Sequence, residues 1–291
     1  MQENNGFTVI EHSLSVLPDT IRRHILSHIR KLTDYEPVIG IIGKTGAGKS
    51  SLCNALFKGE VSAVSDVSAC TREPLRLRIS VGRHSLTLVD LPGVGESLAR
   101  DREYRALYQE WLPRLDLVLW VIKADDRALS IDEQFYRQVI GEAHRHKVLF
   151  VVNQADKIEP CHEWDALTGS PSAMQYLNIQ SRLIDIGNLF SPTAPVVAIS
   201  ARAGWGLTAM AEAMMKHLPA QAGSPVSTQL REEVRTEQVK SRARYGFGEA
   251  VGRSLDTVAE GPFIPAPVST LIRCVRDAVV SVARAVWDFF F

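Results

Sequence analysis

Eight consecutive residues carry the clearest chemistry in this sequence. Gly43-Lys-Thr-Gly-Ala-Gly-Lys-Ser50 fits the pattern G-x-x-x-x-G-K-[ST]. Phosphates need many donors at short range. Gly46 and Gly48 let the backbone turn its N–H groups toward an anion without a Cβ in the way. The N-terminus of the helix that follows adds partial positive charge. Lys49 is placed to reach β- and γ-phosphates. The Ser50 hydroxyl suits Mg²⁺, a hard ion that prefers oxygen ligands.

Three further clusters follow in order. Asp90-Leu-Pro-Gly93 comes 40 residues after Ser50 and directly after an apolar run. A carboxylate at a strand's C-terminal end can hold Mg²⁺ through water, and the Gly93 N–H can meet a γ-phosphate oxygen. Asn153-Gln-Ala-Asp156 ends another apolar run. Guanine presents two N–H donors on one edge, and the single carboxylate of Asp156 can accept both. Adenine lacks that pair and would leave a polar group unmet, which gives strong discrimination. Asn153 suits a tie between loops. Ser200-Ala-Arg202 follows a last apolar run, where a backbone N–H can meet the guanine O6. The candidate nucleotide-binding residues are therefore Gly43, Lys44, Thr45, Gly46, Ala47, Gly48, Lys49, Ser50, Ser51, Asn153, Gln154, Asp156, Ser200, Ala201 and Arg202.

These groups need a scaffold that brings strand ends together. Val38–Ile42, Leu115–Val121 and Val148–Val152 are nearly continuous apolar runs, as strands buried on both faces of a parallel sheet should be. Leu75–Val81 and Ser85–Val89 read as a hairpin around Gly82–Arg83, and Pro195–Ile199 as a sixth strand. Helical patterns start near Lys49, span Ile131–His146 and run from about Gly206 to His217. Strands alternating with helices imply an α/β fold, with a mainly parallel six-stranded sheet and helices on both faces. Outside it, residues 8–33 read as short helices. Pro219–Ser227 reads as a linker. Leu230–Glu260 reads as helical despite Gly246, Gly248 and Gly252, and Val268–Phe291 as an amphipathic helix. The expected organisation is a helical segment 1–35, a nucleotide-binding domain 36–220 and a helical region 221–291.

The ordered set GKTGAGKS, Thr71, DLPG, NQAD and SAR resembles the translation-factor-type GTPases, within them the Era/TrmE/septin-like group of P-loop GTPases. The run GKTGAGKSSLCNALF with ACTREP looks closest to Era-like predicted GTPases of bacterial genomes and prophages. The resemblance implies a G domain that binds GTP or GDP with Mg²⁺, hydrolyses GTP and works as a molecular switch. It makes Thr71 the switch threonine, sensing the γ-phosphate and ligating Mg²⁺. The implied metal ligands are then Ser50, Thr71 and Asp90, and the implied catalytic set is Lys49, Thr71 and Gly93. Three residues depart from the group's pattern. Val94 follows Gly93 where Ras-type enzymes carry a water-orienting glutamine. Intrinsic hydrolysis should therefore be slow, with help from Glu73, Glu96, a second subunit or a partner. Gly46 stands where potassium-activated members carry asparagine, so no potassium stimulation is expected. Gln154 replaces the lysine whose stem packs over the guanine face, so affinity should be weaker while the Asp156 discrimination survives.

Composition narrows the partners. The 291 residues are 45% hydrophobic and 23% charged, which excludes a disordered chain or a small disulfide scaffold. The length suggests about two domains. Lys+Arg and Asp+Glu both count 33. Bulk attraction to nucleic acid would usually need a basic chain, so an RNA- or ribosome-associated role like that of Era and TrmE relatives is not favoured by charge. A G-domain homodimer and a membrane contact through the C-terminal helix remain as alternatives. The stripe Val268, Leu271, Ile272, Val275, Val279, Val282, Val286 and Phe289 reads first as core. Cys53, Cys70, Cys161 and Cys274 have no metal-ligand spacing. With no secretory signal and no long apolar run, a cytoplasmic location is expected.

Overall fold

The computed structural model describes residues 2–63, 74–93 and 98–291. They form two compact units. The larger comprises Pro37–Leu218 and Gln229–Thr236, and the other Met1–Glu36, Pro219–Thr228 and Glu237–Phe291.

The larger unit is built on one sheet of β1 (Val38–Ile42), β2 (Glu60–Ala63), β3 (Leu75–Val81), β4 (His84–Asp90), β5 (Leu117–Lys123), β6 (Val148–Asn153) and β7 (Val197–Ala198). Their order across the sheet is β2-β3-β4-β1-β5-β6-β7. β1 pairs in parallel with β4 and β5, β5 with β6, and β6 with β7. β3 runs antiparallel to β4 and to β2. The mainly parallel α/β fold is thus as expected, with one correction: the sheet has seven strands among the described residues, not six. The extra strand is β2, a four-residue edge strand in a stretch with no apolar run of its own.

β5 and β6 are buried along nearly their whole length, which is what helices on both faces demand. Trp120, Tyr136, Phe150 and Phe190 form one aromatic cluster over this part of the sheet. Taken with the first two helices of the chain, α1 (Gln2–Ser13) and α2 (Asp19–Thr33), the helices of the larger unit are α3 (Lys49–Leu56), α4 (Leu98–Trp111), α5 (Ser130–Phe135), α6 (Gly141–His144), α7 (Ala173–Phe190) and α8 (Leu207–His217). The segment Gln229–Thr236 is held to this unit by specific bonds. Gln229 Nε2 donates to the His84 carbonyl at 2.8 Å, Arg231 N–H to the Leu56 carbonyl at 2.8 Å and Arg231 Nε to the Asn54 carbonyl at 2.7 Å. Lys58 pairs with Glu232.

The other unit is helical: α1, α2, most of α9 (Gly223–Gln229), α10 (Glu237–Ala259) and α11 (Ala266–Ala285). Of the expected apolar stripe, Ile272, Val279 and Val286 are buried core and Val268, Leu271, Val275 and Val282 half-buried, whereas Phe289 is exposed because the helix ends at Ala285 and Trp287 turns inward in its place. Phe7 packs edge-on against Phe290 at 4.9 Å. The expected linker Pro219–Ser227 is instead largely the helix α9, with Ala222, Ser224, Val226 and Ser227 buried. Its small polar side chains are satisfied inside. Ser224 Oγ accepts from Trp287 Nε1 at 2.8 Å and donates to the Ala243 carbonyl at 3.1 Å. α10 is continuous through its glycines because close packing selects them. A Cβ on Gly248 would lie 2.4 Å from Arg284 Nε.

Candidate functional site

The parallel strands β1, β5, β6 and β7 set their C-terminal ends side by side, the usual ligand-binding edge of such a sheet. The phosphate loop leaves β1 and enters α3, whose N-terminal flank is Gly48 at φ 87°. A side chain there would meet Asn153 Nδ2 at 2.4 Å. Lys49 Nζ donates to the Gly43 carbonyl at 2.7 Å and lies 3.9 Å from Asp90 Oδ1. Gly93 also needs its bare Cα. A Cβ there would lie 2.9 Å from the Gly43 carbonyl oxygen.

Asp90 ends β4. Its Oδ1 is buried and accepts no hydrogen bond, and burial pushes its carboxyl above the ordinary aspartate range against the opposing pull of Lys49. A buried carboxylate oxygen that accepts no hydrogen bond and lines the same cavity as Ser50 suits a hard divalent cation. No cluster of three or more His, Cys, Asp or Glu side chains forms a metal site among the described residues. Cys53 lies on α3 close enough to Asp90 to feel its charge. Burial pushes its thiol up to about 12, so it stays protonated and is no nucleophile.

The guanine-side residues are tied to the phosphate loop by amides. Asn153 is buried; its Nδ2 donates to the Ala47 carbonyl at 2.9 Å, and its Oδ1 accepts from the N–H of Gln154 at 2.8 Å and of Ala201 at 3.1 Å. Asn153 thus joins three of the sequence clusters. Gln154 Nε2 donates to the Gly46 carbonyl at 2.7 Å. Ser200 Oγ donates to Asp156 Oδ1 at 2.6 Å, fixing that carboxylate. Thr45, Ser50, Ser51 and Arg202 are exposed. Thr71, Val94, Glu73 and Glu96 lie outside the described residues.

Two features were absent from the sequence reading. Lys44 is held in an ion-pair cluster that the sequence does not announce. Its Nζ lies 2.9 Å from both Asp126 Oδ2 and Asp132 Oδ2 and donates to the Ala128 carbonyl at 2.6 Å. Asp132 is buried on α5, and burial pushes its carboxyl up, whereas the hydrogen bonds from Lys44 and the Ala128 N–H bring Asp126 down. Lys157 Nζ donates to Gln154 Oε1 at 2.7 Å. The acidic run after β5 and the basic residue after NQAD were the available signals.

The profile of the family described as "50S ribosome-binding GTPase" matches residues 38–154, the span from β1 to the guanine loop. The chain belongs to the Era/MnmE/Der-like P-loop GTPases. Among relatives of this GTPase is the uncharacterized protein YfjP of Escherichia coli (strain K12), 60% identical over 282 residues, 97% of each chain. The tRNA modification GTPase MnmE of Bacteroides thetaiotaomicron is 31% identical over 127 residues, 42% of this chain and 26% of that protein. Among solved structures, Aquifex aeolicus Era Y63A bound to GDP·AlF4⁻ is 24% identical, covers 62% of this chain and 56% of that one, and has a TM-score of 0.45. Among the described residues of this GTPase, no helix is long and apolar enough to cross a membrane.

Proposed function

We propose that this GTPase binds GTP with Mg²⁺, hydrolyses it slowly and acts as a molecular switch. The observation that carries the reading is the Asp156 carboxylate, fixed by Ser200 on a loop that Asn153 ties to the phosphate loop. A rigid carboxylate accepts the two guanine N–H donors and rejects adenine by leaving itself unpaired. Lys49 would exchange its bond to the Gly43 carbonyl for the β- and γ-phosphates, and the Gly93 N–H would meet the γ-phosphate. Ser50, Asp90 and Thr71 would hold the metal. A bound Mg²⁺ supplies neutralisation of the phosphate charge. In this reading residues 36–220 together with the returning segment Gln229–Thr236 are the nucleotide-binding domain, and the rest of the helical regions 1–35 and 221–291 belongs to the other unit.

Valine at position 94 cannot orient water, so the intrinsic rate is slow and Glu73, Glu96, a second copy or a partner supplies the missing group. The test is Asp156→Asn, which replaces one acceptor by a donor. GTP affinity should fall and xanthosine triphosphate affinity rise, because xanthine carries a carbonyl where guanine carries the amine. Undiminished GTP preference in that variant would overturn the assignment.

A further inference from the structure

We infer that Lys157 is a positioning residue of the nucleotide site, acting through Gln154 to hold the phosphate loop and so to slow nucleotide release. The inference rests on the guanine-nucleotide reading above. It comes from one chain of contacts. Lys157 Nζ donates to Gln154 Oε1 at 2.7 Å, and Gln154 Nε2 donates to the Gly46 carbonyl at 2.7 Å.

A glutamine amide has an acceptor end and a donor end, and its neighbours decide which way it faces. An ammonium can only donate, so Lys157 fixes Oε1 on its own side. The –NH₂ end is then left facing the phosphate loop, where only a donor can bind a carbonyl. Without Lys157 the amide is free to turn, and in the turned state two oxygens would confront each other at Gly46. The cation also polarises the amide and strengthens the donor at its far end.

The local backbone is built for this contact. Gln154 has φ 65°, a left-handed conformation uncommon for a residue with a Cβ. The short 3-10 turn Ala155–Lys157 follows, and the Lys157 N–H donates to the Gln154 carbonyl at 2.9 Å. That reversal brings the Lys157 ammonium back to the Gln154 side chain.

The consequence lies in the loop. The carbonyls of Gly46 and Ala47 are taken by Gln154 and Asn153 in turn. Planar trans peptides then direct the N–H groups of Ala47 and Gly48 to the opposite side, where that of Ala47 donates to the Lys44 carbonyl at 3.1 Å. Asn153 is buried and holds its carbonyl from within, whereas Gln154 is half-buried and relies on Lys157 for its orientation.

The experiment is a double-mutant cycle on the full chain, read as the dissociation rate of a fluorescent GDP analogue. Lys157→Met should release GDP about three- to tenfold faster, the scale of an ordinary hydrogen bond, because the contact is exposed and water screens its charge. Lys157→Arg should restore the slow rate. In a Gln154→Ala background, Lys157→Met should change nothing further. The preference for GTP over ATP should stay intact throughout, because Asp156 is untouched. An unchanged rate in Lys157→Met overturns the inference and leaves the guanine reading standing. So does an equal acceleration with and without Gln154, which would mean that Lys157 acts on the nucleotide directly. A wild-type chain that binds no guanine nucleotide refutes both.

Discussion

Lys44→Met is the perturbation whose cost the structure defines best. The substitution keeps the side-chain stem and removes the ammonium that lies 2.9 Å from both Asp126 and Asp132. Asp132 is then left as a buried carboxylate, with its side chain only 4% exposed. Breaking a fully buried pair costs about 3–5 kcal/mol. Lys44 is one-third exposed, and water shares its screening, so about 2–3 kcal/mol is the expected loss at pH 7. Protonation sets a ceiling, since neutralising an ordinary aspartate at pH 7 costs about 4 kcal/mol. Burial has already raised Asp132, which lowers that ceiling. The deficit should therefore shrink at pH 5, where the orphaned carboxyl takes up its proton more readily. Lys44→Met combined with Asp132→Asn should regain most of the loss. The assay is denaturant unfolding at the two pH values. A deficit that is the same at both, or that survives in the double variant, would refute the view that the uncompensated Asp132 charge is its source.

Other expectations are briefer. In the wild type, Asp132 has a raised carboxyl, so its ionised form opposes folding at neutral pH. Stability contributed by that group should grow as pH falls through its raised range. Asp126 is depressed and acts the other way: its contribution is present above the ordinary aspartate value of 3.8 and is lost as pH falls below it. Asp132→Asn should flatten the first limb of a stability–pH profile and spare the second. Gly248→Val should drive a side chain into Arg284 and destabilise the α10–α11 pair by about 1–3 kcal/mol, read by thermal unfolding. A neutral result would mean that Arg284 swings clear. GTP turnover should be equal in KCl and NaCl, since Gly46 offers no side-chain ligand; a large ratio between the salts would contradict this.

The site was legible where its chemistry is local. Phosphate binding needs consecutive backbone donors between a strand and a helix, so residues 43–50 announce it without any knowledge of the fold. Asp90 and Asn153–Asp156 were legible because each ends a run of apolar residues, and runs buried on both faces end together at one sheet edge. Contacts made over long sequence distances left no such mark. Lys44 meets acids 82 and 88 residues away, and nothing near it in the chain marks it as the centre of that ion-pair cluster. Gln229–Thr236 lies among residues that read as the start of a helix, and only its bonds to Asn54, Leu56 and His84 reveal a different role. α9 misled for a further reason. Gly, Ser, Pro and Ala mark linkers when their polar groups face water, but Ser224 meets its hydrogen-bonding needs on Trp287 and Ala243. The glycines of α10 lowered the expectation of a helix on propensity, and the packing against Arg284 overrode it.

The most direct test of the whole account is GTP turnover measured against protein concentration, with Lys49→Ala as the control. The wild type should hydrolyse GTP slowly when dilute, faster per chain as copies meet or a partner is added, and Lys49→Ala should abolish the activity. Turnover of tens per second by the dilute monomer would contradict the reading of Val94. Turnover no greater than that of Lys49→Ala, at any concentration, would contradict the proposal that this chain is a GTP-hydrolysing switch.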